Sequence, residues 1–520
     1  MSGMPLRGDR ILRYVGAFCP TCHAEHPGRP LSEVRRLGGW LVERDDRVWL
    51  ERGCPAHGLQ RTMYDESAEI LQWLERWTAP TKVHTPDAPG NFDPVPSAYL
   101  RGLGEMQTQH TCILLTDIVE TCNLRCPTCF TESAPDLGGI VPLGEVLASV
   151  DQRLARENGR LDVVMLSGGE PTLHPQLGEL LDALAARPVV RILVNTNGMR
   201  LAADDSLVQQ IARHRDRVEV YLQYDGSSAD ASRHHRGGDL RARKAAALRR
   251  LSTAGIFTTL TMTAQLGVND GEIGDVLRVA LDTPYVGGVS IQPVFGSGRA
   301  SGIDPLDRLT HTGVLARLGP QTDGLVTWRD LTALPCSHPH CCSVGYLLRD
   351  DAGRWRSLVL LIGAERLQQH LGLVANRIAD DEVPRELRLA VQESLLGLLS
   401  EQSSLSHPQI GDLWRDICEN CDLGIGTLLK LASSRLPGRQ SSLRRLLGER
   451  VVRVTVKPFM DISTMIEERL TQCCVHVGTR SVADADQCAP FCAVQAWPAL
   501  SAQRLSRATG RRTLEIAEVR

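Results

Sequence analysis

Between residues 112 and 294, six short apolar runs rich in β-branched residues alternate with stretches that repeat at helical spacing. The runs are CILLTDIV (112–119), DVVMLS (162–167), VRILVNT (190–196), VEVYLQY (218–224), FTTLTMT (257–263) and GVSIQPV (288–294). Two of the intervening amphipathic segments are LGEVLASVDQRLAREN and QLGELLDALAAR. A run apolar on both faces is a strand covered on both sides, and a helix between consecutive strands brings the chain back parallel. Six such units demand an α/β domain built on a parallel sheet. Periodicity alone is equally compatible with an open sheet and with one curled into a partial barrel.

A chain of 520 residues exceeds one ordinary core. The Pro-rich stretch at 79–100 has no apolar period and reads as a linker. This divides the chain into a region at 1–80, a linker at 81–104, the strand–helix core at 105–325 and a C-terminal region at 326–520. A net charge of −3 predicts no nucleic-acid partner. The opening MSGMPLRGDRILRYVG lacks the apolar core of a signal peptide, and the longest greasy run, SLVLLIGA at 357–364, is too short to span a bilayer. A cytoplasmic location is therefore expected, where thiols stay reduced, so sixteen cysteines point to metals rather than disulfides.

The cysteines fall in three zones. The first holds Cys19-x2-Cys22, answered by Cys54 and His57 in RGCPAHG, the outline of a ribbon around one tetrahedral ion, zinc or iron. His23 and His26 compete with His57 for the fourth position, and GWLVERDDRVWLERG reads as the hairpin that closes the ribbon. The second zone is VETCNLRCPTCFTES, with Cys122, Cys126 and Cys129 on the loop after the first strand of the core. Active sites of parallel sheets collect at that edge. Three thiolates around a cubane cluster leave one iron open to a small-molecule ligand; a zinc knuckle borrowing a distant histidine is the alternative. Cys112 lies in a strand run and reads as buried packing. The third zone holds Cys336, Cys341, Cys342, Cys418, Cys421, Cys473, Cys474, Cys488 and Cys492, enough for two four-cysteine clusters with Cys488 spare, or for one cluster and a zinc site.

Cys122-x3-Cys126-x2-Cys129 followed by Phe130 resembles the signature of the radical S-adenosylmethionine (SAM) enzymes. Gly168, Gly169, Glu170 and Pro171, in LSGGEPTLHP after the second strand, resemble that family's methionine-binding motif. The resemblance implies a partial (β/α)6 barrel and a [4Fe-4S] cluster whose open iron takes the amino nitrogen and carboxylate of SAM. The two glycines would let the backbone approach the ligand, and Glu170 would accept from its ammonium group. Asn195, Asn197, Gln223, Asp225, Thr263 and Gln292 sit at strand ends and would hold ribose, carboxylate and adenine. The implied partners are SAM and a flavodoxin- or ferredoxin-like reductant.

The whole layout resembles a subgroup that includes archaeal tetraether lipid synthases and related proteins proposed as pterin- or folate-dependent methylases. The expectation it carries is hydrogen abstraction for carbon–carbon coupling of lipid alkyl chains. Methyl transfer to a pterin-like heterocycle is the alternative, and a non-catalytic electron carrier or redox sensor is the reading from another class. The apolar segment ELRLAVQESLLGLLSEQ would line a route for a lipid chain, and Lys430, Arg435, Arg439, Arg444, Arg445, Arg450 and Arg453 would attract anionic headgroups at a membrane surface, with a solvated helical face as the alternative.

Overall fold

A computed structural model describes residues 9–26, 34–77, 111–157, 159–350, 352–375, 448–478 and 488–497. Cys418, Cys421, the linker at 81–104, the helical segment at 386–402, basic positions 430–445 and the Cys488 side chain lie outside the described residues.

The first 77 residues build an antiparallel sheet in the order β1 (Arg10–Ala17), β2 (Leu37–Arg44), β3 (Arg47–Cys54), β4 (Gly58–Asp65). Asp45 and Asp46 turn the β2–β3 hairpin with φ of 53° and 60°, the double left-handed conformation that matches strand twist and that Asp tolerates. Helix α1 (Pro20–Glu25) starts on Cys19, and α2 (Ala68–Glu75) is capped by Ser67, whose Oγ accepts from Ile70 N at 3.4 Å.

The core consists of six parallel strands in sequence order: β5 (Ile113–Val119), β6 (Leu161–Gly168), β7 (Val189–Thr196), β8 (Val218–Gln223), β9 (Thr258–Ala264) and β10 (Val286–Pro293). Between them run α3 (Leu143–Arg156), α4 (Leu177–Ala185), α5 (Asp205–Ala212), α6 (Ala229–Arg236), α7 (Arg241–Thr253) and α8 (Ile273–Asp282), and α9 (His311–Gln321) follows β10. The strands are apolar on both faces for two separate reasons. Leu114, Val164, Ile192, Val194, Val220 and Leu222 pack under the helices, whereas Ile113, Leu115, Met165, Leu193 and Tyr221 join a second core on the concave side.

The C-terminal region finishes this same sheet at both edges. After β11 (Thr332–Ala333), β12 (Ser343–Arg349) and β13 (Trp355–Ser357), strand β14 (Val451–Val456) pairs parallel with β10 and antiparallel with β12. At the opposite edge β15 (Val475–Gly478) runs parallel to β5 and carries β16 (Cys488–Pro490) on its outer side. Met460, Ile466, Leu470, Phe491 and Trp497 fill the concave core together with Val15, Phe18 and Leu41 of the ribbon. Arg453 corrects the headgroup reading of the basic stretch. It is 3% exposed on β14 and faces Glu219 at 3.7 Å, because a cation inside a sheet needs a buried counter-charge rather than a lipid phosphate. Among the described residues no helix is long and apolar enough to cross a membrane.

Candidate active site

The mouth of the sheet encloses a cavity of about 210 Å³. One wall is the loop with Cys122, Cys126, Cys129 and Phe130; the floor is Gly168, Gly169, Glu170, Asn195, Asn197, Gln223, Thr263 and Gln292 at the strand ends. The facing wall comes from the C-terminal region, with Cys341, Cys342, Cys473, Cys474 and Cys492 beside Phe459, Phe491 and Lys457. Pro171 is not on the cavity; it opens a short 3-10 turn behind it, where its fixed φ suits the first position.

The three-cysteine loop is stretched around this space. At least one pair of its sulfurs is more than 4.8 Å apart, wider than three thiolates on one ion and suited to a larger group. Burial and the nearby charge of Glu170 push the Cys122 thiol up to about 12, so its thiolate needs a cation to persist in this site. Leu124 N and Asn197 Nδ2 point at Cys122 Sγ at 3.4 and 3.7 Å, donors that favour a metal-bound thiolate. A [4Fe-4S] cluster fits this donor set.

The loop is held from behind by Arg299, which the sequence did not single out. Its Nε donates to Cys126 O, Nη1 to Glu132 O and Nη2 to Ser133 O, each at 2.7 Å, while its own backbone N reaches Cys129 O at 3.0 Å. Arg299→Ala removes the three side-chain donors at once. Expected is a fall of about 10- to 100-fold in the affinity for cluster iron, the range for partners that orient metal ligands, with Arg299→Lys restoring part of it. Iron content after anaerobic reconstitution checks this.

The glycines also let two stretches of backbone meet. A Cβ on Gly168 would stand 2.2 Å from Val119 O, and one on Gly169 would stand 2.0 Å from Thr121 O; Gly168 also has a φ of 115°. Both clashes are with the backbone of the cysteine loop. Gly169 N donates to Val119 O at 2.6 Å and Glu170 N to Thr121 O at 2.9 Å, so the two loops are stitched together. Glu170 is likewise engaged before any ligand arrives. Its Oε1 accepts from Thr172 N, Thr172 Oγ1 and Thr196 Oγ1 at 3.1, 2.6 and 2.6 Å, and Oε2 accepts from Asn197 N at 2.8 Å. Only Oε2 retains ordinary capacity for a further donor.

The strand-end residues form a relay. Gln223 Nε2 donates to Asn195 Oδ1 at 2.8 Å, and Arg236 Nη2 donates to Gln223 Oε1 at 2.7 Å and to Thr263 Oγ1 at 3.2 Å. Arg236 is anchored by Asp225, whose Oδ2 accepts from its Nε at 2.6 Å. Burial alone would raise Asp225, but the guanidinium outweighs it and holds the carboxyl at about 2. Asp225 thus fixes Arg236 and does not line the cavity, whereas Arg236 does. Lys244 Nζ donates to Asn197 O at 2.7 Å, and burial, with Arg236 nearby, lowers it to about 8. Arg236 ends α6 against the left-handed Gly237, with φ of 80°; nothing in RHHRGG marks its reach to β8 and β9.

In the ribbon, Cys19, Cys22, Cys54 and His57 bring four ligand atoms within 4.8 Å. Cys22 Sγ is 3.7 Å from Cys54 Sγ and 3.3 Å from His57 Nδ1, close to the edge of about 3.8 Å for tetrahedral zinc with bonds near 2.3 Å. Glu25 Oε1 lies 3.2 Å from His57 Nε2 and orients the ring. His23 instead meets Ala496 O and the Trp497 ring.

Cys112 is buried in the concave core, as its strand run implied, and it also has sulfur neighbours. It precedes β5, and its Sγ lies within 4.8 Å of those of Cys336 and Cys474. Cys341, Cys473 and Cys492 gather at the cavity wall, Arg469 Nε reaching Cys341 Sγ at 3.3 Å. These additional cysteine groups fit auxiliary metal centres.

Comparison with known proteins agrees with this geometry. Residues 117–280 match the family model described as the radical SAM superfamily, and residues 11–66 match the HMPTM N-terminal zinc ribbon domain. The chain is similar to the 7,8-dihydro-6-hydroxymethylpterin dimethyltransferase of Methanocaldococcus jannaschii, at 24% identity over 500 residues, 92% of each chain. It is 29% identical over 192 residues to the mycofactocin maturase MftC of Mycobacterium ulcerans, 36% of this chain and 49% of that protein. Among solved structures, Streptococcus suis SuiB bound to its precursor peptide SuiA overlaps 54% of this chain and 66% of its own, with 15% identity and a TM-score of 0.36.

Proposed function

Because this chain is a radical SAM enzyme behind a zinc ribbon, we propose that it transfers a one-carbon group to a small planar heterocycle of the pterin type. What carries the reading is a cavity that has the three-cysteine loop opposite an aromatic wall, in a chain 92% of which aligns with a pterin dimethyltransferase. A [4Fe-4S] cluster held by Cys122, Cys126 and Cys129 supplies, with SAM, the one-electron chemistry that breaks a sulfonium carbon–sulfur bond and activates an inert C–H bond.

The chain's own residues bind and orient. Oε2 of Glu170 and Asn197, both fixed by hydrogen bonds, present polar atoms to the amino-acid end of SAM. Gln223, held by Asn195 and Arg236, and Thr263 offer donors and acceptors to its nucleoside end. Phe130, Phe295, Phe459 and Phe491 form one aromatic group, with ring centroids 4.6 Å apart for Phe459 and Phe491 and 5.6 Å for Phe130 and Phe491. Such faces stack on a flat ring and exclude water from the reacting carbon. The segment at 386–402 and basic positions 430–445 lie outside the described residues, and Arg453 is buried against Glu219.

The test incubates the reconstituted chain with 7,8-dihydro-6-hydroxymethylpterin, a reductant, methyl-labelled SAM and an unlabelled methylene-bearing tetrahydrofolate. A pterin product heavier by one carbon, with or without the label, supports methyl transfer, since a folate can donate the carbon unlabelled. An unchanged pterin, with coupled alkyl chains in the lipids of a host expressing the chain, overturns it.

A further inference from the structure

We infer that Cys112, Cys336 and Cys474 form a second single-ion site, distinct from the ribbon and from the three-cysteine loop, that takes one thiophilic cation of the zinc class. The three come from separate parts of the chain. Cys112 stands at the entrance of β5, Cys336 in the turn after β11, and Cys474 just before β15. They are 0%, 1% and 3% exposed. Their position is set by backbone pairing as well as side-chain packing: Cys112 N and Ile113 N both donate to Cys474 O, at 3.0 and 3.1 Å.

The spacing selects a single ion. All three sulfurs lie within 4.8 Å of one another, and Cys336 Sγ is 3.6 Å from Cys474 Sγ. Thiolates sharing one zinc at about 2.3 Å stand roughly 3.8 Å apart in tetrahedral geometry. Thiolates of a cubane are bound to different irons and splay outward, as the wider set at Cys122, Cys126 and Cys129 does. An isolated buried cysteine packs as a small hydrophobe. Packing alone does not require three of them, from three separate parts of the chain, to bring their sulfurs this close together.

Sulfur donors select zinc-class and softer ions over magnesium or calcium. Binding M²⁺ replaces three thiol protons, which leave as H⁺, and produces a site of net charge −1 with no change in oxidation state. Among the described residues no fourth His, Cys, Asp or Glu joins the set. Cys474 lines the active cavity while Cys112 and Cys336 do not.

The experiment measures metal content of the full chain, purified and reconstituted without oxygen. Wild type is expected to hold two zinc-class ions besides its cluster iron. Cys112→Ser and Cys54→Ser should each lose one of them with iron unchanged, and the double variant should lose both. Should Cys112→Ser precipitate, ¹¹³Cd NMR of the intact chain decides: two thiolate-bound resonances support the site and a single one overturns it. The inference also fails if Cys112→Ser keeps both ions, if it loses about four irons instead, which marks a cluster corner, or if thiol mapping finds Cys336 and Cys474 joined as a disulfide.

Discussion

Alanine at Cys122, Cys126 or Cys129 is expected to abolish the reductive cleavage of SAM while leaving the sheet intact. Each of these residues lies on the loop beyond β5, outside the strand ladders and the two large apolar clusters, so its loss leaves the packing of the sheet in place. Each supplies one of the three sulfurs that span the cavity wall, and two thiolates do not hold a cubane. Formation of 5′-deoxyadenosine under dithionite should fall to background in all three variants, and far-UV circular dichroism should overlay wild type. Retained cleavage in any one variant would falsify the assignment of that cysteine as a ligand.

A methyl group in the wrong place should do nearly as much harm. Gly169→Ala puts a Cβ 2.0 Å from Thr121 O and 2.5 Å from Glu120 O, backbone atoms that cannot swing away like the end of a side chain. Relief requires the β6 turn and the cysteine loop to part, breaking the bonds from Gly169 N and Glu170 N. A cost of roughly 3 kcal/mol or more is expected, at the upper end for overpacking. Iron loading should fall with it, although Gly169 carries no side chain to touch a ligand. Chemical denaturation and iron analysis read both effects. If the variant loads iron normally and loses only SAM affinity, the glycine serves ligand approach and the stitching account is wrong.

The six parallel strands were legible because burial on both faces leaves a local mark, as in LDVVMLSG of β6. The cysteine loop was legible because its three ligands lie on one short stretch. Partners brought from afar left no such mark. Arg299 sits in SGRASG, a segment without period, and its hydrogen bonds reach carbonyls about 170 positions earlier, as with Cys126 O at a separation of 173. VVRVTV of β14 carries a charge that reads as surface until β8 supplies Glu219. Cys112 looked like packing since a lone sulfur in an apolar run carries no sign of the other two. Glu170 was found by motif, but two of its four hydrogen bonds come from Thr196 and Asn197 of the next unit, which only the fold brings alongside.

The manner in which the sheet is finished bears on how such a molecule is made. Its edges at β5 and β10 gain their neighbours only when β15 and β14 have been synthesised; Thr111 meets His476 across 365 positions. Closing so long a loop costs entropy and delays the contact. During translation the nascent barrel therefore stands with two unpaired borders and an open mouth, a state that invites edge-to-edge association. The same interval gives assembly factors a way in to residues that become sealed afterwards. A chaperone that guards the two borders would also lengthen the interval in which the mouth stays open.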